Sequence, residues 1–186
     1  RYTEPLVPYT SEAGLMRERV RVEVEYLITL AELRATPLSI AQDSLAMLRT
    51  LYESFDTEDA AIIKRYETDG YAGRSATNHD VKAIEYFVRD AMTDGLEADR
   101  PWVHFGLTSE DVNNLAQRLL VKPAVDDVLV PAIRAVRDEL SQIARVNLDL
   151  PMLSHTHGQP ATPTTFGKEM AVYAARLGNV VGEVER

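Results

Sequence analysis

The chain has 186 residues, of which 45% are hydrophobic and 26% charged, a composition ordinary for a soluble globular protein. Its formal net charge of −9 argues against a broad binding surface for DNA or RNA, although a few donors in one cleft can still bind an anionic metabolite. The absence of cysteine excludes disulfides, thiolate metal ligands and a cysteine nucleophile. No apolar run reaches membrane-spanning length and no signal-peptide pattern is present, so we expect no membrane partner. The lack of cysteine fits a reducing compartment, and we expect a cytoplasmic protein.

Helical periodicity dominates the first part of the chain. Apolar residues recur at helical spacing from Leu15 to Arg34 with a charged opposite face, and Pro37 follows as a helix breaker. Further helices are predicted from Ile40 to Phe55 and from Thr57, acting as the cap, to about Tyr66. The stretch from Thr68 to Asn78 is rich in Gly, Ser, Thr and Asn, and it is predicted to be a loop.

The next helix is predicted to start near His79 or Asp80. Leu96 to Pro101 then reads as a connection, and it is our predicted domain boundary. The two long helices predicted near the end of the chain, joined by a loop, suggest part of a helix bundle. The chain opens at Arg1 without a methionine and closes at Arg186 in a helical stretch without a stop signal, so we interpret it as part of a longer protein.

The second part of the chain is also predicted to be helical. Thr108 or Ser109 caps a helix, and a long apolar-periodic segment runs from about 125 to 146, with a kink expected at Pro131 because proline removes a backbone hydrogen bond. A loop rich in Pro and Thr, Pro151 to Pro163, leads to a last helix from Thr164 onward. No alternating strand and no internal repeat is evident, and the predicted class is all-α.

Three polar clusters stand at the starts of predicted helices. They are TNHD (Thr77 to Asp80), TSED (Thr108 to Asp111) and SHTHGQPATP (Ser154 to Pro163). Exposed N–H groups at a helix start favour anions, so the first two clusters could hold phosphate or carboxylate groups. The alternative is that their polar residues only cap the helices, which is the more frequent role of either pattern taken alone.

The third cluster contains two of the four histidines of the chain, His155 and His157. An imidazole with a pKa near about 6.5 can exchange protons at neutral pH, so either residue could act as an acid or a base. Gly158 allows the backbone to bend, and Gln159 adds an amide. A His-x-His pair could also supply two metal ligands in a hydrolase, but the helix-loop-helix setting fits that reading poorly.

The three clusters, in this order, resemble conserved blocks of the fumarase/aspartase superfamily of elimination enzymes. TNHDVKAIEYF (Thr77 to Phe87) resembles the adenylosuccinate lyases in particular, HFGLTSEDVNN (His104 to Asn114) is similar to the first superfamily block, and SHTHGQPATPTTFGKEM (Ser154 to Met170) is similar to the second. The likeness extends over nearly the whole chain. It implies that residues 1–98 form a small first helical domain and that residues 99–186 form the first, incomplete part of a central helical bundle. It also implies that this bundle assembles as a homotetramer with active sites shared among subunits.

The resemblance also implies a reaction, the β-elimination of fumarate from adenylosuccinate or from succinylaminoimidazole carboxamide ribotide in purine biosynthesis, with no metal or organic cofactor. A base removes a proton beside a carboxylate, donors stabilise the resulting dianion, and an acid protonates the departing nitrogen. By position, His157 matches the general acid, and His79 matches a substrate-binding histidine that assists it. The other matching substrate-binding positions are Arg1, Tyr2, Asn78, Asp80, Thr108, Ser109 and Gln159.

Two features depart from the family pattern. No segment matches the Ser-Ser-x-Met-Pro-x-Lys loop that carries the general base, so we expect this chain alone to be inactive. His155 stands where the family has an arginine, which leaves the role of His155 open. The competing interpretations are another fumarate-releasing lyase, such as argininosuccinate lyase, and a non-catalytic helical assembly domain; the TNHD block argues against the first.

Overall fold

Helices dominate the computed structural model, which describes residues 3–33 and 36–186. The α-helices are α1 (Val7–Thr10), α2 (Glu12–Glu32), α3 (Gln42–Glu53), α4 (Thr57–Thr68), α5 (Asp80–Ala91), α6 (Ser109–Pro123), α7 (Val130–Val146) and α8 (Phe166–Val184). A single antiparallel hairpin, β1 (Pro151–Thr156) and β2 (Gln159–Thr165), is the only sheet among the described residues. The helical class predicted from periodicity is therefore confirmed, with one hairpin added to it.

One short irregular helix lies in the predicted connection from Leu96 to Pro101, and another lies at the start of the segment predicted as a long helix from about 125 to 146. A 3₁₀ helix spans Glu97–Trp102, and a π-helical segment, Ala124–Leu129, joins α6 directly to α7. Pro131 lies in the first turn of α7, where its missing N–H removes no bond from the helix interior. The irregularity expected at Pro131 thus lies just before the proline, in a helical form with wider turns.

Contacts within the chain divide it into two units. The first ends at Pro123, and the second is Ala124–Arg186. Because this division reflects contacts inside the present chain, the domain boundary predicted near residue 98 stays a prediction. No helix among the described residues combines the length and the apolar character needed to cross a membrane.

The core of the first unit surrounds α2. Val20, Val24 and Leu27 of this helix are fully buried, and they pack with apolar side chains of α3, α4 and α5 such as Leu48 and Ile84. Burial of several such side chains, each worth about 1.5–3 kcal/mol, stabilises this unit. The helical spacing in the α2 sequence predicted this apolar stripe correctly.

The opposite face of α2 is less exposed than its charges suggested. Glu18, Arg19 and Glu23 are all buried, because α2 packs against α5 and α6 as well as against α3 and α4. The charged face predicted for this helix is therefore only partly exposed to solvent. Buried charges require partners. Arg19 and Glu23 find theirs beside the candidate site, in Asp80 and His104, whereas Glu18 pairs with Arg17 and Arg21.

A second apolar cluster fixes the start of α5 beside the start of α6. Val22, Val81 and Val112 are buried together with Ala116, so α2, α5 and α6 share one small core. Val81 directly follows the first residue of α5, and Val112 lies in the first turn of α6. Two of the three polar clusters are thereby brought together.

The loop predicted from Pro151 to Pro163 is in fact a hairpin, and the prediction of no strand was wrong. Thr156 pairs with Gln159, which leaves a two-residue turn, and the register shifts between Leu153 and His155. Both strands are largely exposed, so they lack the alternation of apolar and polar residues that identifies a half-buried strand. Prolines are compatible with such a hairpin because both of its strands are edge strands.

Helix boundaries agree with the sequence to within a few residues, but one cap differs. Asp56, rather than Thr57, caps α4: its carboxylate accepts from the backbone N–H groups of Glu58 and Asp59, and Asp59 accepts from the Asp56 N–H in return. This reciprocal capping box uses a carboxylate where the sequence interpretation preferred a hydroxyl.

Candidate functional site

The loop before α5 is held by the end of α4. The backbone N–H of Thr77 donates to Tyr66 O at 3.0 Å, and that of Asn78 donates to Glu67 O at 2.9 Å. Asn78 adopts a positive φ of 49°, which asparagine tolerates better than most residues. These bonds set the direction in which the chain enters α5.

His79 itself caps α5. Its Nδ1 accepts from the backbone N–H of Lys82 at 3.3 Å, so in the neutral ring the proton lies on Nε2. Nε2 in turn lies 3.5 Å from Ser109 Oγ, at the start of α6. The two nitrogens therefore have different roles. Nδ1 caps the start of α5, and Nε2 faces the hydroxyl of Ser109 on a second helix.

Asp80 is held by an arginine that bridges two helices. Arg19 lies on α2, and its guanidinium contacts Asp80 Oδ2 at 2.7 Å and Asn113 Oδ1 at 2.9 Å. Partial burial tends to raise the pKa of Asp80, but the Val81 N–H and Arg19 outweigh it, so that pKa is lowered. The carboxylate is therefore charged at neutral pH, and Arg19 connects the starts of α5 and α6.

Thr108 precedes α6 and engages Asp111. The Thr108 N–H and its hydroxyl both donate to Asp111 Oδ2, at 2.8 Å and 3.0 Å. These bonds lower the pKa of Asp111. The neighbouring residue Ser109, which is the first residue of α6, has its hydroxyl facing the imidazole of His79.

His79 and Ser109 border an open cleft of about 390 Å³ in the first unit. It is lined by Thr77, His79, Val81, Lys82, Glu85, His104 and Ser109. A second groove of about 370 Å³, between α2 and α6, exposes mainly apolar surface. The polar cleft is the candidate site because donors from two helix starts converge in it.

The floor of this cleft holds charged residues that sequence analysis did not single out for function. His104 has a positive φ of 64°, and its Nδ1 lies 2.5 Å from Oε1 of Glu23, which is 0% exposed. The hydrogen bond with Glu23 raises the pKa of His104 against the opposing effect of burial. Glu23 lies in a stretch of α2 where charged and apolar residues alternate, so the sequence could not distinguish it from a surface charge.

A second buried carboxylate lies beside His104. Glu85 of α5 accepts from Lys82 Nζ at 2.8 Å and from Arg89 at 2.7 Å. Lys82 is half-buried and lines the cleft, so its ammonium group is held there by Glu85. The cleft therefore contains cationic and neutral hydrogen-bond donors, and two of them, Lys82 and His104, are held by the buried carboxylates of Glu85 and Glu23.

The third polar cluster lies in the second unit, at the tip of the hairpin. His157 and Gly158 form the two-residue turn with φ values of 51° and 76°. Positive φ at both positions is what a type I′ turn requires, and histidine is among the residues that tolerate it. His155 and Gln159 are exposed beside this turn, and both pair across the hairpin backbone.

The predicted site residues thus fall into three groups. Asn78, His79, Asp80, Thr108 and Ser109 lie together at the starts of α5 and α6 in the first unit, whereas His157 and Gln159 lie in the second unit. Arg1 and Tyr2 are outside the described residues. Across residues 3–33 and 36–186, no three His, Asp or Glu side chains cluster as metal ligands would.

Comparison with known proteins identifies the family. The family model described as "Lyase" matches residues 6–185. Adenylosuccinate lyase of Dictyostelium discoideum is 41% identical over 97% of this chain and 39% of its own length, and that of Escherichia coli K12 is 44% identical over 90% and 36%. The chain therefore spans well under half of these relatives.

Solved structures agree on the fold. A fumarate lyase from Mesorhizobium sp. BNC1 aligns over 98% of this chain and 39% of its own with a TM-score of 0.74 at 22% identity. A 3-carboxy-cis,cis-muconate lactonizing enzyme from Pseudomonas putida aligns over the same shares with a TM-score of 0.71 at 21% identity. With a family model covering nearly all of its residues, the chain belongs to the lyase family.

Proposed function

We propose that this chain is part of an adenylosuccinate lyase, which cleaves adenylosuccinate to AMP and fumarate and also acts on succinylaminoimidazole carboxamide ribotide. The observation that carries the proposal is the cleft in which His79 Nε2 and Ser109 Oγ, from two different helix starts, lie 3.5 Å apart. The adenylosuccinate lyases among the relatives, at about 40% identity, support the choice of substrate.

The cleft suits the anionic ends of such a substrate. The start of α6 offers backbone N–H groups and the Ser109 hydroxyl, and Lys82 brings a positive charge to the same wall. Abstraction of a proton beside a carboxylate produces a dianion, so fixed donors are needed before the base can act. Thr108 and Ser109 would contact the succinyl carboxylates, whereas Asn78 and Asp80, with Arg1 and Tyr2, would contact the nucleotide.

The acid and the base are supplied by other parts of the protein. His157 would protonate the departing nitrogen as the C–N bond breaks, with Gln159 beside it contacting the substrate. The base that takes the carbon-bound proton would be a serine outside this chain. Because the chain covers about 39% of its relatives, we expect it to be inactive alone.

An ultraviolet elimination assay on the full-length protein tests the proposal, with adenylosuccinate, argininosuccinate, aspartate and malate offered in parallel. Release of fumarate from adenylosuccinate alone is the expected result. Turnover of another substrate would keep the elimination chemistry but contradict the nucleotide assignment. Absence of turnover with all four would favour a non-catalytic assembly domain.

His79 provides a sharper test, because its capping role can be separated from its chemistry. We expect kcat/KM for adenylosuccinate to fall on the order of 100-fold in both His79→Ala and His79→Asn, since both lose the Nε2 donor. Asparagine is a good N-cap, so His79→Asn should retain the stability of α5. Unchanged kinetics in His79→Asn would remove His79 from the site.

We further propose a cytoplasmic homotetramer whose active sites combine residues of different subunits. Apolar side chains remain exposed on the helices of the second unit, including Val136 on α7 and Tyr173 and Val180 on α8. Such side chains favour self-association when they cluster. Sedimentation analysis of the full-length protein measures the assembly, and a monomer with full activity would contradict it.

A further inference from the structure

The Glu23–His104 pair is the least expected feature of the cleft. Glu23 is 0% exposed, and one of its oxygens, Oε2, is buried without a hydrogen-bond partner. Its other oxygen meets His104 Nδ1 at 2.5 Å. A buried carboxylate with a single polar partner lowers the stability of a fold unless that partner is charged. Burial of the Glu23–His104 pair therefore lowers the stability of this fold unless His104 carries a charge.

The geometry of the pair determines which part of the imidazole reaches the cleft. His104 lines the cleft and its side chain is 18% exposed. Because Nδ1 is engaged by Glu23, Nε2 is the nitrogen left for the cleft. The left-handed backbone at His104 places this ring in the turn before α6, and such conformations are usually maintained at functional positions.

We propose that Glu23 is a positioning residue that holds His104 as an imidazolium, with Nε2–H directed into the cleft as a charged donor for an oxyanion of the substrate. This inference rests on the proposed function. The oxyanion can be the phosphate or a succinyl carboxylate, since the same donor serves both. Glu23 acts through His104 and does not touch the substrate.

The charges around His104 come from three helices. Glu23 on α2, Glu85 on α5 and Asp111 on α6 favour its protonated form, and Lys82 on α5 opposes it. The pKa of His104 is raised, with the Glu23 hydrogen bond as the main cause. The imidazolium is therefore present below this raised pKa, and oxyanion affinity should fall as the pH rises through it.

Equilibrium binding to the full-length protein tests the proposal, with AMP as the phosphate probe and fumarate as the carboxylate probe. In Glu23→Gln the amide oxygen can still accept from Nδ1–H, but the negative charge is lost. We expect Kd for one probe to rise about tenfold at about pH 8 and to return to within about twofold of the unaltered protein at about pH 6, where the ring protonates without help.

Glu18→Gln is the matched control. Glu18 lies on the same helix, is also buried and also has an unpartnered Oε2, but it pairs with Arg17 and Arg21 away from the cleft. Its variant should reproduce the pH profile of the unaltered protein. A loss of affinity caused only by altered packing would not recover at low pH, and it would appear in both variants.

Each outcome separates the hypotheses. A shift with AMP identifies the phosphate as the ligand of His104, and a shift with fumarate identifies a carboxylate. Parallel pH profiles for Glu23→Gln and the unaltered protein, or an equal shift in Glu18→Gln, would overturn the proposal. If Glu23→Gln does not fold, His104→Gln replaces it, and persistence of the original pH dependence there would be equally decisive. Turnover of adenylosuccinate by the unaltered protein tests the proposed function separately.

Discussion

Replacing His157 by alanine in the full-length protein should lower kcat by about 10²–10⁴-fold, the usual contribution of a general acid. The expectation follows from a histidine at the tip of a hairpin that is otherwise exposed and carries no core residue. The loss should appear in kcat, because the acid acts on the nitrogen only as the C–N bond breaks. Steady-state kinetics with adenylosuccinate measures it.

His157→Asn is the control for the turn. Position 157 has a φ of 51°, and alanine there costs about 1–2 kcal/mol of backbone strain, whereas asparagine accepts this conformation. Equal losses in the two variants would identify the imidazole, and not the turn, as the cause. A larger loss in His155→Ala, or near-normal turnover in His157→Asn, would contradict the assignment of His157 as the acid.

The second large effect is expected at Gly167, where α8 begins against the end of α7. A Cβ at this position would lie 2.5 Å from Ala144 O and 2.7 Å from Asn147 O. Both contacts are with backbone, which cannot rotate away. Gly167→Ala should therefore lower the free energy of unfolding by about 1–3 kcal/mol, the typical cost of overpacking.

Gly182→Ala, on the same helix, is expected to change the free energy of unfolding in the opposite direction. Nothing lies within 4 Å of a Cβ at that position, so alanine should raise the free energy of unfolding by about 0.5–1 kcal/mol through its helix propensity. Chemical denaturation of the two full-length variants measures the difference. Equal stabilities would show that α7 and α8 do not approach closely at Gly167.

The close approach at Gly167 also bears on the hairpin. Its N–H donates to Asn147 O at 3.0 Å, and the Phe166 N–H donates to Leu150 O at 3.0 Å. These two bonds join the base of the hairpin to the end of α7. Displacement of α8 in Gly167→Ala should consequently reduce kcat as well, since His157 lies at the other end of the same hairpin.

Local patterns were enough to predict most helices. The apolar spacing in α2 and the acidic first turns of α4 and α6 depend on residues within a few positions of one another, so they can be recognised without the fold. The hairpin could not be found this way. It has almost no buried face, and its turn uses His157–Gly158 where a more familiar signal would be Asn-Gly.

The sequence by itself determined the helical class, the three polar clusters and their order, because capping and amphipathic periodicity are local properties. Only the tertiary structure decided which charges of α2 are buried and what they contact. Glu23 and His104 are separated by 81 positions, and Ser109 and His79 by 30. Such pairs form because apolar packing of α2, α5 and α6 brings them together, and this packing leaves no periodic signal in the residues that it joins.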